Sequence, residues 1–499
     1  MSQKFGWLQI IRLGVIQACL GSVVVLTTST LNRIMVVEYA LPALLPGLLV
    51  TLHYLVQFVR PRMGYAHDSG NRLTTWIVGG MAVLGLGGFL AAVSTVLMPQ
   101  TFVWAVCLAI IAFIAIGLGV SAAGTSLLVL LAKQVDDERR APAATTVWMM
   151  MIVGFIITAA VGGSLLDPYS PQRLLMISGG VSVIAFCLTC LAIKGIEAPS
   201  KFVANVASDS TQQKSLSPVV PEPIPAMSFK EKLACVWDEP VARRFTVFVF
   251  VSMLAYNAQD LILEPFAGVV FEFTPGQSTR LSSIQHSGVL LGMILVALAC
   301  SRLGKRWLPR NDIDLRAWMI GGCLASGLAM AGLVCAGLIG ISWPIRSNVF
   351  LLGVANGVFS IAAISLMMQL AIQQVNTQQL TTQQLTTQQF TGSSIGSEAD
   401  QSTNLKDQRR EGTRMGLWGA AQALAFGLGG LLGAGACDLA RWAFGRTGPA
   451  YSSVFAFEAV MFVVAAWIAW TMKVKHDASG AQVKSHAHLS PGNEQLVHN

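Results

Sequence analysis

The stretch TLNRIMVVEYALP, residues 30–42, decides how the chain is to be read. Long apolar runs flank it, yet it keeps Arg33 and Glu38. A charged side chain at the centre of a bilayer costs roughly 2.5–3.5 kcal/mol on insertion scales. Five residues of α-helix turn through about 500°, so these charges would point about 140° apart at ~3.6 residues per turn. A regular helix therefore does not pair them. Either the stretch leaves the membrane or each charge has its own partner.

Working outward, the 499 residues are 54% hydrophobic and 12% charged, against ~25% charged in soluble domains. The mean hydropathy is +0.60. Runs of ~20 apolar residues predict spans beginning near Leu8, Leu41, Thr75, Phe102, Ala141 and Leu174, then near Phe245, Ile284, Ala317, Pro344, Met415 and Ser452. The expected fold is an all-α polytopic membrane protein of twelve transmembrane helices in two pseudo-symmetric six-helix halves. The first run is too long for a cleavable signal and lacks a small-residue cleavage site. Net charge of +8 invites a nucleic-acid reading, but basic residues in membrane proteins gather in cytoplasmic loops. With both termini cytoplasmic, only Arg33, Arg173, Arg280, Arg346, Arg441 and Arg446 of the 33 Lys and Arg fall outside. The distribution is thus that of a membrane topology, with no nucleic acid expected, and it places Arg33 and Glu38 in a short outer connection between the first two spans.

The halves are expected at residues 1–196 and 243–474, joined by a cytoplasmic linker over 197–242 and followed by a disordered tail over 475–499. Within the linker, SPVVPEPIPAM (217–227) reads as extended. SFKEKLACVW follows with Ser228 and Glu231 spaced as a capping box, which predicts a short helix in the inner interface. GYAHDSGNR supplies Gly64, Asp68, Gly70 and Arg72, and ACSRLGKR supplies Arg302, Gly304, Lys305 and Arg306. Both resemble the inner-loop signature of the major facilitator superfamily, with Ser69 and Ser301 departing from it. Trp148 and Trp418 each stand eight residues after an arginine, Arg140 and Arg410, at equivalent places. Such parallel repeats organise facilitator transporters. The second half carries an insertion at about 374–409, built on TTQQLTTQQLTTQQFT, too polar to bury a core and expected as an expanded loop.

No Walker loop, HExxH or nucleophile elbow is present, so no enzyme is expected. Polar residues inside spans mark functional positions. His53 and Gln57 lie one turn apart on one face of the second span. Imidazole is the commonest protein metal ligand, so His53 is a candidate to hold the central metal of a porphyrin-like pigment, with Gln57 bonding a pigment carbonyl. An ordinary interhelical hydrogen bond is the alternative. Asp260 and Glu264 share a face at i, i+4, with Asp260 about 22 Å from the inner edge at 1.5 Å per residue. LNRIMVVE and AQDLILE end the first and seventh spans, and that equivalence predicts that Arg33 pairs with Asp260 across the pseudo-two-fold, with Glu38 and Glu264 beside them.

RLGVIQACLGSVVVLTTSTLNRIMVVEYALPALLPG, VRPRMGYAHDSG, WMMMIVGFIITAAVGGSLLDP, NAQDLILEPFAG and GLWGAAQALAFGLGG occur in this order. Together they resemble the PucC/LhaA family, the light-harvesting complex assembly or bacteriochlorophyll delivery proteins of purple phototrophic bacteria. The similarity runs over 8–196 and 230–473, and RPRMGY is closer to the LhaA branch, which serves the core antenna. The resemblance implies a facilitator-like fold with bacteriochlorophyll as cargo and no catalytic cofactor or metal. It also implies antenna polypeptides, reaction-centre assembly intermediates and pigment-synthesis enzymes as partners, in the intracytoplasmic inner membrane. The rival reading is a proton-coupled transporter of a small solute. The first six spans hold no interior carboxylate, leaving Asp260 and Glu264 to carry the proton.

Overall fold

The computed structural model describes residues 5–59, 73–196, 237–300, 315–389 and 397–472. They form helices α1 (Trp7–Glu38), α2 (Leu44–Val56), α3 (Leu73–Leu97), α4 (Phe102–Gln134), α5 (Asp137–Leu166) and α6 (Pro171–Ile193), then α7 (Pro240–Val270), α8 (Pro275–Cys300), α9 (Leu315–Ile339), α10 (Ile345–Gln389), α11 (Ser397–Phe444) and α12 (Thr447–Thr471). Eleven are long and apolar enough to cross a membrane; α2, at 13 residues, is shorter and runs into a 3₁₀ turn at Gln57–Val59. All eight signature-loop residues, the interfacial segment over 228–236 and the tail lie outside the described residues.

Several helices begin or run differently from the sequence reading, α11 among them with its start at Ser397, and three show the physical reason. The first continues through Arg33 to Glu38 instead of ending before it. Thr27 and Thr28 donate their hydroxyls to Val24 O at 2.8 and 3.0 Å. Such back-bonding competes with the helical ladder, and π turns follow at Leu26–Thr30 and Ile34–Glu38. The eighth helix starts at Pro275, a residue pre-set for a first turn, and so includes the polar run GQSTRLSSIQH that an apolar scan leaves out. The tenth helix carries the TTQQL repeat to Gln389 rather than ending in a loop. Its 45 residues would span about 68 Å at 1.5 Å per residue, more than twice a ~30 Å hydrocarbon core. A repeat too polar to make a core can still extend a helix that the apolar run before it has nucleated.

The buried apolar residues divide into two main clusters. One gathers Ile10, Ile77, Met81, Phe113 and Leu127 from α1 to α4, and the other Phe245, Phe266, Phe359, Phe455 and Phe462 from α7 to α12. Glycines bring helix backbones together, as small residues do in membranes. A Cβ on Gly80 would lie 2.6 Å from Ala123 N of α4, and one on Gly429 2.6 Å from Leu254 O of α7.

The clusters join where α1 meets α7, α5 meets α8 and α2 meets α11. At the end of the bundle where α1 stops, the Glu38 end, two carboxylates cap helices across this join. Asp167, just after α5, accepts from Gly276 N at 3.1 Å and Thr274 Oγ1 at 3.0 Å, at the start of α8. Arg280 lies 3.3 Å from the same carboxylate. Asp438 on α11 accepts from Ala43 N at 3.1 Å and Leu44 N at 2.8 Å, at the start of α2. Each places negative charge at a helix N-terminus, where the macrodipole favours it.

Asp167→Ala and Asp438→Ala should each lower stability by about 1 kcal/mol, the usual worth of a helix cap. The losses should be nearly additive, because the caps share no partner. Thermal unfolding of the purified protein reads both. No loss with either variant would show that the caps contribute nothing to stability.

Candidate functional site

A polar seam runs between α1, α7 and α8 near the Glu38 end. Ser29 donates to Glu264 Oε1, and Ser282 donates to the same oxygen at 2.7 Å. The two serine hydroxyls are 3.1 Å apart. Next along the helices, Thr30 and Thr279 hydroxyls meet at 3.2 Å. Asn32 donates to Leu261 O at 2.5 Å, and Gln285 donates to Asp260 Oδ1 at 2.9 Å. Every side chain in this group except Asp260 is buried.

Arg33 and Asp260, expected as partners, are not paired. Arg33, only 2% exposed, makes an ion pair with Glu38 and donates to Phe273 O at 2.6 Å. The reason is the π turn at Ile34–Glu38, in which Tyr39 N bonds Ile34 O at 3.2 Å. Bonding of the i→i+5 type shortens the angular gap between residues five apart, so the 140° separation of a regular helix no longer applies. Arg33 still bridges the halves, but through the backbone carbonyl of Phe273. Close by, the hydroxyls of Tyr39 and Tyr169 meet at 3.1 Å. Burial, followed by the Tyr39 contact, pushes Tyr169 above the ordinary phenol range, so it stays neutral.

His53 sits near the far end of α2 and is 1% exposed. Its Nε2 lies 2.9 Å from the Gln57 amide, so these two residues do come together as expected. Its backbone carbonyl faces Gly117 of α4, where a Cβ would stand 2.7 Å away. A metal approaching Nε2 would have to displace Gln57 from a ring that is already buried.

Other polar positions escaped the sequence reading. Glu458, in the middle of α12, is 1% exposed, and neither of its oxygens has a hydrogen-bond partner among the described residues. Gln259 on α7 is fully buried with both amide atoms in the same condition. A lone Glu inside an otherwise apolar run, FAFEAVMF, was the available signal for Glu458. His286 lies well inside α8 and bonds Ser282 O at 2.8 Å through Nδ1. Elsewhere a groove of about 740 Å³ opens between α9 and α10, within the 300–1,000 Å³ typical of small-molecule sites. Ala317, Gly321, Ala325 and Ala329 line one wall; Leu351 and Ala355 are on the other, with Asn348 at one end. No cluster of three His, Cys, Asp or Glu able to hold a metal occurs among the described residues.

The architecture matches that of membrane transporters. A bacterial homologue of the human lysosomal transporter Spinster superposes with a TM-score of 0.60 at 14% identity, covering 95% of this chain and 98% of that one. The nucleoside transporter NupG gives 0.58 at 16% identity, covering 94% of this chain and 99% of that one. The fold is therefore major-facilitator-like. Within that class the chain belongs to the family described as PUCC protein, whose profile matches residues 30–382 and 393–476. It is 46% identical to the "Bacteriochlorophyll synthase 44.5 kDa chain" of Rhodobacter capsulatus over 464 residues, 93% of this chain and 95% of that one. It is 26% identical to "Protein PucC" of the same organism, covering 92% and 90%.

Arg33→Gln should destabilise the protein by about 1.5–3 kcal/mol, the worth of hydrogen bonds to a charged group. Asp260→Asn should leave the Arg33–Glu38 pair intact and cost less. Comparing the two in thermal unfolding checks the pairing. An equal loss that is not additive in the double variant would restore the Arg33–Asp260 pair.

Proposed function

We propose that this chain is an assembly factor of the photosynthetic membrane that binds bacteriochlorophyll and hands it to antenna polypeptides, those of the core antenna in particular. The observation that carries this reading is the 46% identity, along nearly the whole chain, to a protein named for bacteriochlorophyll. Family membership over 30–382 and 393–476 supports the broad role. That relative's printed name includes "synthase"; the reading here is a carrier, not an enzyme, since the described polar residues of this chain form a helix seam. Twelve spans, with α2 completing the set, both termini cytoplasmic and the Glu38 end outward, are part of the same reading. Antenna polypeptides, reaction-centre assembly intermediates and pigment-synthesis enzymes are its partners in the inner, intracytoplasmic membrane.

The groove between α9 and α10 is the preferred seat, because it is already open. Its small-residue wall at Ala317, Gly321, Ala325 and Ala329 lets a flat macrocycle lie close to the helix. His53 is the competing ligand, with Gln57 turning away to free Nε2. The rival transporter reading draws on the buried carboxyls of Glu264 and Glu458 and on the fold of the transporters it superposes with.

Three measurements test these statements. Deleting the gene should lower core antenna while leaving pigment synthesis intact; normal antenna would count against the role. The protein purified from phototrophic cells should carry pigment, and Gly321→Phe should reduce that pigment several-fold while His53→Leu leaves most of it. The reverse pattern would move the seat to His53. Pigment-free protein that drives proton-linked solute uptake in vesicles would favour the rival.

A further inference from the structure

The seam at Glu264 has a composition that protein–protein bonding alone does not use up. Glu264 Oε1 accepts from Ser29 of α1 and Ser282 of α8. Its other oxygen, Oε2, is buried and has no partner among the described residues. The whole side chain is 1% exposed. No Lys, Arg or His among the described residues is within ion-pair distance of it, and Arg33 is engaged with Glu38 and Phe273 O. Ser282 lies seven residues into α8, about 10 Å below its start at 1.5 Å per residue. A carboxyl buried at such a place either keeps its proton or meets a compensating positive charge.

The surroundings are rich in oxygen. Two serine hydroxyls touch one carboxylate oxygen and each other, and the Thr30–Thr279 hydroxyl pair adjoins them. On the α1 side the donors sit on the π turn at Leu26–Thr30, where Leu31 N bonds Leu26 O. A π turn puts the carbonyl ladder one residue out of step, and such turns are frequent at functional sites. In secondary transporters, displaced backbone carbonyls of broken helices coordinate sodium or protons. Hard oxygen donors suit alkali and alkaline-earth cations. One carboxylate among neutral hydroxyls balances a single positive charge, and a divalent ion would leave net charge in the apolar interior.

We infer that Glu264, with Ser29 and Ser282, forms a binding site for a monovalent metal cation of the sodium class, held between the two halves. Because α1 belongs to one half and α7 and α8 to the other, a bound cation ties the halves together beside the Asp167 and Asp438 caps. The charged or titratable groups around the site are Arg33 on α1, Asp260 on α7 itself and His286 on α8; Glu458 on α12 lies within electrostatic range of Asp260. Asp260 bonds Gln285 and is outside the oxygen set. The site is independent of where, or whether, pigment binds.

The test uses the full-length protein, purified and pigment status recorded, in sodium chloride or choline chloride at equal ionic strength. Sodium should raise the melting temperature by about 3 °C or more once well above its dissociation constant, by mass action. It should also slow modification of Glu264 by dicyclohexylcarbodiimide, mapped by mass spectrometry, at least fivefold. Glu264→Gln should abolish the sodium shift. Ser282→Ala, which removes one hydroxyl and keeps the charge, should move the sodium titration to about tenfold higher concentration. The inference is overturned if sodium and choline give the same melting temperature, or if the shift survives unchanged in both variants. It is equally overturned if only pH, and no cation, protects Glu264, since the ligand is then a proton alone.

Discussion

A polar group in hydrocarbon has to find its partner inside the protein, because no water is there to supply one. In this chain that constraint falls on three helices at one end of the bundle. The faces of α1, α7 and α8 carry Ser29, Thr30, Asn32, Arg33, Glu264, Thr279, Ser282 and Gln285, and each is buried. Since the first four belong to one half and the rest to the other, the halves satisfy these groups by meeting there. Ser29 with Glu264, Asn32 with Leu261 O and Arg33 with Phe273 O are all bonds across the join. The apolar clusters then organise each half separately, and the Asp167 and Asp438 caps hold the same end from its two flanks.

Much of the fold was legible because the signal is composition over ~20 residues, which local detail barely disturbs. Eleven of the expected spans appear as helices long enough to cross, whereas the expected second span is the 13-residue α2, which falls short of that length. Family was legible from long motifs in order. What failed did so where regular geometry or apolarity was assumed. The helical angle between Arg33 and Glu38 presumed 3.6 residues per turn, and the π turn at Ile34–Glu38 removes that premise. An apolar scan excludes GQSTRLSSIQH from α8, although these are mostly buried residues whose polarity is met by α1, α5 and α7. Hydropathy windows report what faces lipid, and they are blind to a helix that is polar because another helix covers it.

The candidate site divides along the same line. His53 and Gln57 were paired in the sequence by their i, i+4 spacing, and they meet. Spacing along one helix is a local property, so it transfers. The partner of Arg33 depended on a relation between halves that the sequence shows only as weak similarity, and the local turn overrode it. Glu458 had a plain signal, one carboxyl in an apolar run. Its meaning depends on burial, which needs the fold.

The two sides of the join do not carry the same chemistry. In the first, α3 and α4 meet at backbone contact, with Gly80 and Gly119 leaving no room for a side chain. In the second, α9 and α10 also meet at backbone contact, where a Cβ on Gly322 would lie 2.7 Å from Phe359 N, while the neighbouring Gly321, open like Gly79 of α3, lines the groove. The second half also holds the buried carboxyls Glu264 and Glu458, where the first contributes hydroxyls, an amide and the Arg33 guanidinium. The difference is thus one of polar content and not of packing: the buried carboxyls fall on α7 and α12, and a hydroxyl of α1 reaches across the join to one of them.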